Sequence, residues 1–435
     1  MKHHKCNKKG SVAVLLSMLF VCLMMVAVIL IQASAFAATY AYSDAVLFSS
    51  GKSILSEYHL ALKDSYGIIA FKGYENDVNA KLEFYAQSAF ERQLPRHSSL
   101  NNDSLTLLKP SLYTVNCDLK EYSLLNIDVF EEQIQDIMKY NLLNIGVEYI
   151  NEKKKQPRNL NQTEANSNSS ETADTEFGSR TLRNLRIISE LPSEGLEANG
   201  ISIPFIASSS LESWKQIYQE QNASFYVNEY ILQTFNNGFT TNQQPTFFKN
   251  EAEYILYGKL EDQKNKEAFM RDFKTIHFLL NSAHVYADPK KRQEIVELAA
   301  VMTPGPEAAI TAVILSETWA AAETANDVKL LESDSPVALI KTNDTWALTL
   351  KAAINNIGER NMIEPPSNKG ASYEDHVRLF LFFENRETKL LRMMDLIQIN
   401  IKMNEDQSFT IRDCYVGLKY QANINGLEYC YVQTY

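Results

Sequence analysis

The apolar and polar positions of this chain fall into two regimes. From Ser11 to Ala38 no side chain is charged and Gln32 is the one strongly polar residue, whereas the rest of the chain mixes the two types at short period. As a helix, those 28 residues would reach about 42 Å, more than the roughly 30 Å of a bilayer core. A secretory apolar region is typically about 7–15 residues long, so this one reads as a transmembrane span. Lys2, Lys5, Lys8 and Lys9 precede it, and the positive-inside rule keeps such a tail cytoplasmic and sends the remainder outside. Three fates of this N-terminus are open: cleavage after Gly10, which would make Ser11 the first residue; secretory cleavage in Ala-Ser-Ala-Phe-Ala at 33–37; or an uncleaved anchor.

Past the anchor no turn signal appears. Phe48, Leu55 and Leu62 recur every seven residues beside Ile54, Tyr58 and Ala61, so the helix is expected to run on to about Ser65 and to stop at Gly67. IIAF at 68–71 reads as a short strand, 75–94 as a helix, 111–125 as a strand, and 127–146 as an amphipathic helix ending at Gly146. Residues 151–180 contain almost no apolar side chain and cannot offset their ordering entropy, which predicts a linker. EAEYILYGKL at 251–260 fits a strand, or a helix ending at Gly258. Helices are expected over 262–287, 289–302, 307–328 and 373–402, and strands from Phe409 onward.

Composition sharpens this picture. A hydrophobic share of 45% demands a buried core over most of the chain. The net charge is −11, and the four tail lysines leave −15 for everything after them, which argues against nucleic acid as a partner. Outside the tail and span the cysteines are Cys117, Cys414 and Cys430, too few for a disulfide framework. A C-terminal hairpin could still bring Cys414 and Cys430 together as one bridge, against the alternative of buried free thiols.

Residues with chemistry are sparse. There is no nucleophile elbow, zinc-protease helix motif, P-loop or dinucleotide-binding glycine pattern, so no catalytic residue, metal site or cofactor is expected. His277 and His284 share a helix face two turns apart, which is too far for a metal pair. Glu251 and Glu253 read as a solvated strand face. Arg392 and Asp395 lie three apart in LLRMMDLIQIN, where both must approach the core and mutual pairing would satisfy them. Lys341 and Asp344 read as turn residues beside a buried Trp346.

Several stretches in order, GSVAVLLSML, SILSEYHLALKDSYGIIAF, VFEEQIQDIMKY, EYILYGKLEDQKN, ALIKTNDTW and LLRMMDLIQIN, resemble an uncharacterised family of exported bacterial proteins with a domain of unknown function. Its N-terminus is similar to the TadE/TadG-like proteins of tight-adherence (Flp) pilus assembly. The resemblance implies a single-pass, pilin-like component and no enzymatic role. The basic leader and apolar helix around Gly10 and Ser11 fit a prepilin-type processing site, but the glutamate that pilin-like proteins often carry at the fifth position is here Leu15, which counts against processing.

The expected architecture is therefore α+β: a long transmembrane helix continuing into an extracytoplasmic, helix-rich body. The expected segments are a basic tail (1–10), a span (11–38), a helix/strand segment (39–150), a linker partly ordered at its end (151–222) and a main body (223–435). The expected function is a non-enzymatic accessory of a tight-adherence pilus or type II-secretion-like assembly. Its partners would be the bilayer and other membrane or pilus-assembly subunits. The alternative is a membrane-anchored surface binding or adhesion module unrelated to pili. The small residues Ala27, Ala33, Ala35, Ala37 and Ala38 would allow close helix approach in lipid.

Overall fold

The computed structural model describes residues 9–92, 112–153, 191–194, 196, 224–240, 245–355 and 362–435, and the linker expected over 151–222 lies almost wholly outside them. The described residues form an α+β structure of two compact units. The first comprises Met1–Lys63, Ile69–Asn126 and Arg412–Tyr435; the second comprises Asp64–Ile68 and Ile127–Ile411. This division cuts across the expected 39–150 and 223–435 segments, because backbone pairing recruits the last two dozen residues into the first unit.

Helix α1 of the first unit runs unbroken from Lys9 to Leu55. It ends ten residues short of the expected Ser65, since Tyr58 leaves the helix to form a bridge with Phe71. Helix α2 (Leu60–Tyr66) follows in the chain, and Gly67 stops it at φ +70°. Strand β1 (Phe71–Lys72) is followed by helix α3 (Glu75–Arg92) and strand β2 (Leu112–Asp118). The C-terminal residues give β3 (Cys414–Tyr415), β4 (Gly417–Ile424) and β5 (Leu427–Thr434). β1 pairs antiparallel with β3, and a three-stranded antiparallel sheet has the order β2-β4-β5. The β4–β5 turn places Asn425 at φ +53° and Gly426 at φ +81°, the Asn-Gly geometry that matches the twist of a two-residue hairpin.

The core of this unit joins one face of α1 to α3 and the sheet through Val46, Leu47, Ile54, Leu82, Leu418 and Tyr420. Of the three heptad-spaced residues, Leu55 and Leu62 are buried and Phe48 is not. Gly51 sits where the sheet comes closest: a Cβ there would lie 2.6 Å from Gln433 Oε1 and 2.7 Å from Tyr420 Oη. The Tyr420 hydroxyl donates to the Leu47 carbonyl at 2.7 Å.

The second unit is helical. Helix α4 (Ile127–Lys153) runs through Gly146 rather than ending there. Helix α5 covers 224–234 and α6 covers Glu251–Tyr257, with Gly258 in the left-handed conformation as its C-terminal stop. Helices α7 (Asp262–Ala287), α8 (Pro289–Met302) and α9 (Ala308–Glu332) follow, close to the expected bounds. The Asp288 carboxylate caps α8 by accepting from the Lys290 and Lys291 amides, with Pro289 in the first helical position. After α10 (Leu350–Asn355), the stretch expected as one helix over 373–402 divides into α11 (Tyr373–Phe383) and α12 (Arg386–Asn404). Asn385 makes the break: its side chain accepts from the Glu387 and Thr388 amides and starts a new helix. One core packs Val285, Ile295 and Leu315 around Trp319 and Trp346. Every residue of α6 is buried, as is α12 from Leu390 to Ile401 apart from partial exposure at Leu391.

Candidate functional site

Two features stand out in the described residues: the exposed apolar half of α1 in the first unit, and buried ionisable clusters in the second. On α1, residues 13–34 are all exposed although almost all are apolar. A stripe of covered residues then begins, half-buried at Ala35, Thr39 and Tyr42 and buried at Ser43, Val46–Leu47, Ser50–Gly51 and Ile54–Leu55. That spacing is the helical repeat of one face against a core. α1 is thus apolar all round in its first half and one-sided in its second, and the change falls near the end of the uncharged run. By length and composition α1 is able to cross a membrane. Gly10 and Ser11 lie in its first turn.

In the second unit, α9 turns Glu323 and Asp327 to one side, four residues apart, and Lys341 reaches both. Its ammonium donates to Glu323 Oε1 (3.0 Å), Asp327 Oδ1 (2.6 Å) and the Thr345 carbonyl (3.1 Å). Glu323 also accepts from the Ala347 and Leu348 amides, so the cluster pins the 341–348 loop against α9. Asp327 Oδ2 meets His277 Nδ1 at 3.2 Å and Asn281 Nδ2 at 3.0 Å. His277 Nε2 faces His376 Nε2 at 3.4 Å, and His376 Nδ1 faces the Ser372 carbonyl at 2.8 Å. A carbonyl only accepts, so His376 carries its hydrogen on Nδ1. Burial depresses the His376 pKa to about 4, with the neighbouring His277 adding to the effect. Burial raises the Glu323 pKa despite Lys341. Burial alone would lower that of Lys341, but Asp327 and Glu323 outweigh it and the net direction is up. Trp346 is buried as expected, and Lys291 lies over the Trp319 and Trp346 rings at 4.5 and 4.3 Å.

The pair Glu251 and Glu253, expected on a solvated strand face, lies instead in the first turn of α6, fully buried. Glu251 accepts from the Asn236 amide (2.9 Å) and Asn400 Nδ2 (2.7 Å); Glu253 accepts from the Gly238 amide (2.9 Å) and the Tyr373 hydroxyl. The two carboxylates therefore clamp the 236–240 loop. Desolvation pushes the Glu251 pKa up to about 8, against those hydrogen bonds.

Arg392 and Asp395 are both buried on α12, as expected, but each is satisfied by other groups. Arg392 donates to the Ile255 and Leu256 carbonyls at 2.8 and 2.7 Å, tying α12 to the end of α6. Asp395 accepts from the Ser193 amide and hydroxyl and from Tyr254 Oη at 2.9 Å. Burial raises its pKa to about 6. Residues three apart on one helix share a face, but these two side chains reach toward different neighbours, so the direct pairing is replaced. The Cys414–Cys430 bridge is not formed either. Cys414 lies buried on β3 opposite Lys72, Cys430 is exposed on β5 opposite Gln421, and neither is in a disulfide. Sequence reasoning also missed Lys389, whose buried ammonium donates to Ser224, Asn228 and the Leu381 carbonyl. Nothing in its neighbours along the chain marks it.

Residues 188–426 match a family of unknown function, DUF5702. The chain belongs to that family. The DUF5702 match includes the Lys341, Glu251 and Arg392 clusters and starts well after α1, so the buried polar groups fall inside the family region and the apolar helix lies outside it. Comparison with curated proteins and with solved structures finds no match.

Proposed function

We propose that this DUF5702 protein is a single-pass membrane-anchored protein with a cytoplasmic N-terminus and an extracytoplasmic body. In this reading it serves as a non-enzymatic accessory or pilin-like component of a tight-adherence pilus or type II-secretion-like assembly. One observation carries the reading: α1 is a single helix whose first half offers apolar surface on every side while its second half packs into a folded unit. That two-part helix is how pilin-like subunits join a membrane segment to a globular part, and the TadE/TadG-like resemblance of the N-terminus points the same way. The ionisable clusters of the second unit support a structural role over catalysis, because their charged groups spend their hydrogen bonds on the chain's own loops. The partners would be the bilayer and neighbouring membrane subunits, with no cofactor and no nucleic acid.

The deciding experiment is intact mass and N-terminal sequencing of protein recovered from the membrane fraction. A start at Ser11 supports prepilin-type processing and the pilus reading. Retention of Lys2–Lys9 leaves an uncleaved anchor, and partner capture then separates an assembly accessory from an adhesion module. A start near Phe36 or Ala38 releases the protein and overturns the anchored reading. The adhesion alternative has one observation of its own, the exposed aliphatic end of the α8–α9 hairpin at Val301, Met302, Ile310 and Ile314.

A further inference from the structure

The first contact of α1 with the rest of its unit lies within the apolar run, not after it. A bilayer with its headgroup layers is about 40–45 Å thick, roughly 28 helical residues. Counted from Ser11, two residues past the last lysine, that thickness is used up at about Ala38. The stretch Ala35–Tyr40 therefore falls at interfacial depth, and so does whatever packs on it. What packs on it is the β4–β5 turn. Ile424 there is buried, Leu427 is half-buried, and Tyr429 stacks on Tyr40 with ring centroids 5.3 Å apart.

Between the helix and the turn is a cleft of about 230 Å³, walled by Phe36, Thr39 and Tyr40 on α1 and by Ile424, Leu427 and Tyr429 on the hairpin. It is smaller than the roughly 300–1,000 Å³ of a small-molecule site. No charged side chain lines it, and its walls combine aliphatic and aromatic carbon with hydroxyl groups. Phe36 is 62% exposed and continues the apolar surface of the span directly into the cleft. Aromatic residues with a polar tip concentrate at the membrane–water boundary for the same physical reason.

We propose that this cleft seats a bilayer phospholipid at the level of its glycerol esters, so that the β4–β5 turn dips into the interfacial layer. The acyl chain lies along Phe36 and Leu427, and the hydroxyl side faces the ester and headgroup oxygens. With no cation in the lining, the site takes neutral phospholipids and has no preference for anionic ones. The inference rests on the membrane-anchored reading and adds to it a lipid contact made by the hairpin.

The test uses the full chain reconstituted in phosphatidylcholine vesicles whose acyl chains carry bromine close to the ester end. Leu427→Trp probes the turn, and Glu428→Trp, whose side chain is exposed, repeats the reading without touching the core. Val432→Trp, exposed and about 17 Å further along β5, serves as the water-side reference. Emission is taken as the difference from wild type, which has three tryptophans of its own. The expected result is loss of most of the added emission at 427 and 428, retention at 432, and no change when part of the lipid is replaced by phosphatidylglycerol. Retained emission at 427 and 428 in protein that floats with the vesicles overturns the lipid contact while leaving the anchor intact. Quenching that grows with phosphatidylglycerol overturns the neutral-lipid selectivity. A chain that fails to float with the vesicles removes the anchored reading and this inference together.

Discussion

Lys341 Nζ lies 2.6 Å from Asp327 Oδ1, with the lysine side chain 2% exposed and the aspartate fully buried. Such a pair is stable only as a set, because desolvation of each charge is offset by the others and by the amides that Glu323 accepts. Lys341→Met leaves two carboxylates buried without a cation and is expected to cost about 3–5 kcal/mol. The triple variant Lys341→Met, Glu323→Gln, Asp327→Asn removes all three charges and is expected to recover a large part of that loss. Urea denaturation of the three proteins checks both statements. A triple variant no more stable than the single one would show that the loop contacts, not the charges, carry the energy.

Gly51 separates two effects of opposite sign. In a helix interior alanine is favoured over glycine by about 1 kcal/mol. Here the new methyl would meet Gln433 Oε1 at 2.6 Å and the Tyr420 ring and hydroxyl at 2.7–2.8 Å. Overpacking of that kind costs about 1–3 kcal/mol, and shifting Tyr420 also strains its hydrogen bond to Leu47. Gly51→Ala is therefore expected to lower the melting temperature although it raises helix propensity. An unchanged or higher melting temperature would place the sheet further from α1.

These two sites mark how far the sequence could be read. The limits of α7 and α8 followed from Asp288-Pro289 and the TPGP stop, which are local signals with local causes. The apolar run and the helix beyond it were visible because they repeat along the chain. By contrast, the place of Gly51 depends on a sheet built from residues more than three hundred positions away, and nothing nearby announces it. Glu323 and Asp327 did leave a signal, two acids four apart on a helix rich in alanine, but Lys341 looked like a turn residue until the fold brought it to them. Arg392 and Asp395 show the opposite failure. Their burial was legible from the apolar residues around them, whereas their partners come from Ile255, Leu256, Ser193 and Tyr254, which spacing along α12 does not reveal.

Glu251 sets a pH dependence whose sign follows from its environment. Its pKa in the folded protein is about 8, raised by burial. The unfolded chain releases the same proton near the ordinary carboxyl value of about 4.3. Above that value the unfolded state binds fewer protons than the folded one, so this group's contribution is full below about pH 4.3 and is lost progressively as pH rises towards 8. His376 acts in the other direction. Its depressed value of about 4 means that stability falls as pH drops from the ordinary histidine range toward 4. Glu251→Gln keeps the shape and an acceptor for the Asn236 amide, and should flatten the alkaline limb between pH 6 and 8 while leaving the acidic limb in place. Denaturant midpoints measured across the pH range check this. An unaltered alkaline limb in the variant would mean that another buried acid, such as Asp395, governs it.

The native cysteines give a topology test that needs no engineered site. Cys22 is exposed in the structure and sits in the apolar half of α1, Cys430 is exposed on β5, and Cys117 and Cys414 are buried. In the anchored arrangement lipid covers Cys22, and a water-soluble maleimide does not reach it there. Burial also raises the Cys117 pKa to about 11. An impermeant maleimide applied to intact cells is therefore expected to label Cys430 alone, with Cys6 of the basic tail joining once the membrane is permeabilised. Full unfolding in detergent and urea should add Cys22, Cys117 and Cys414. Labelling of Cys22 in intact cells would mean that α1 does not sit in a bilayer, and labelling of Cys6 without permeabilisation would reverse the orientation.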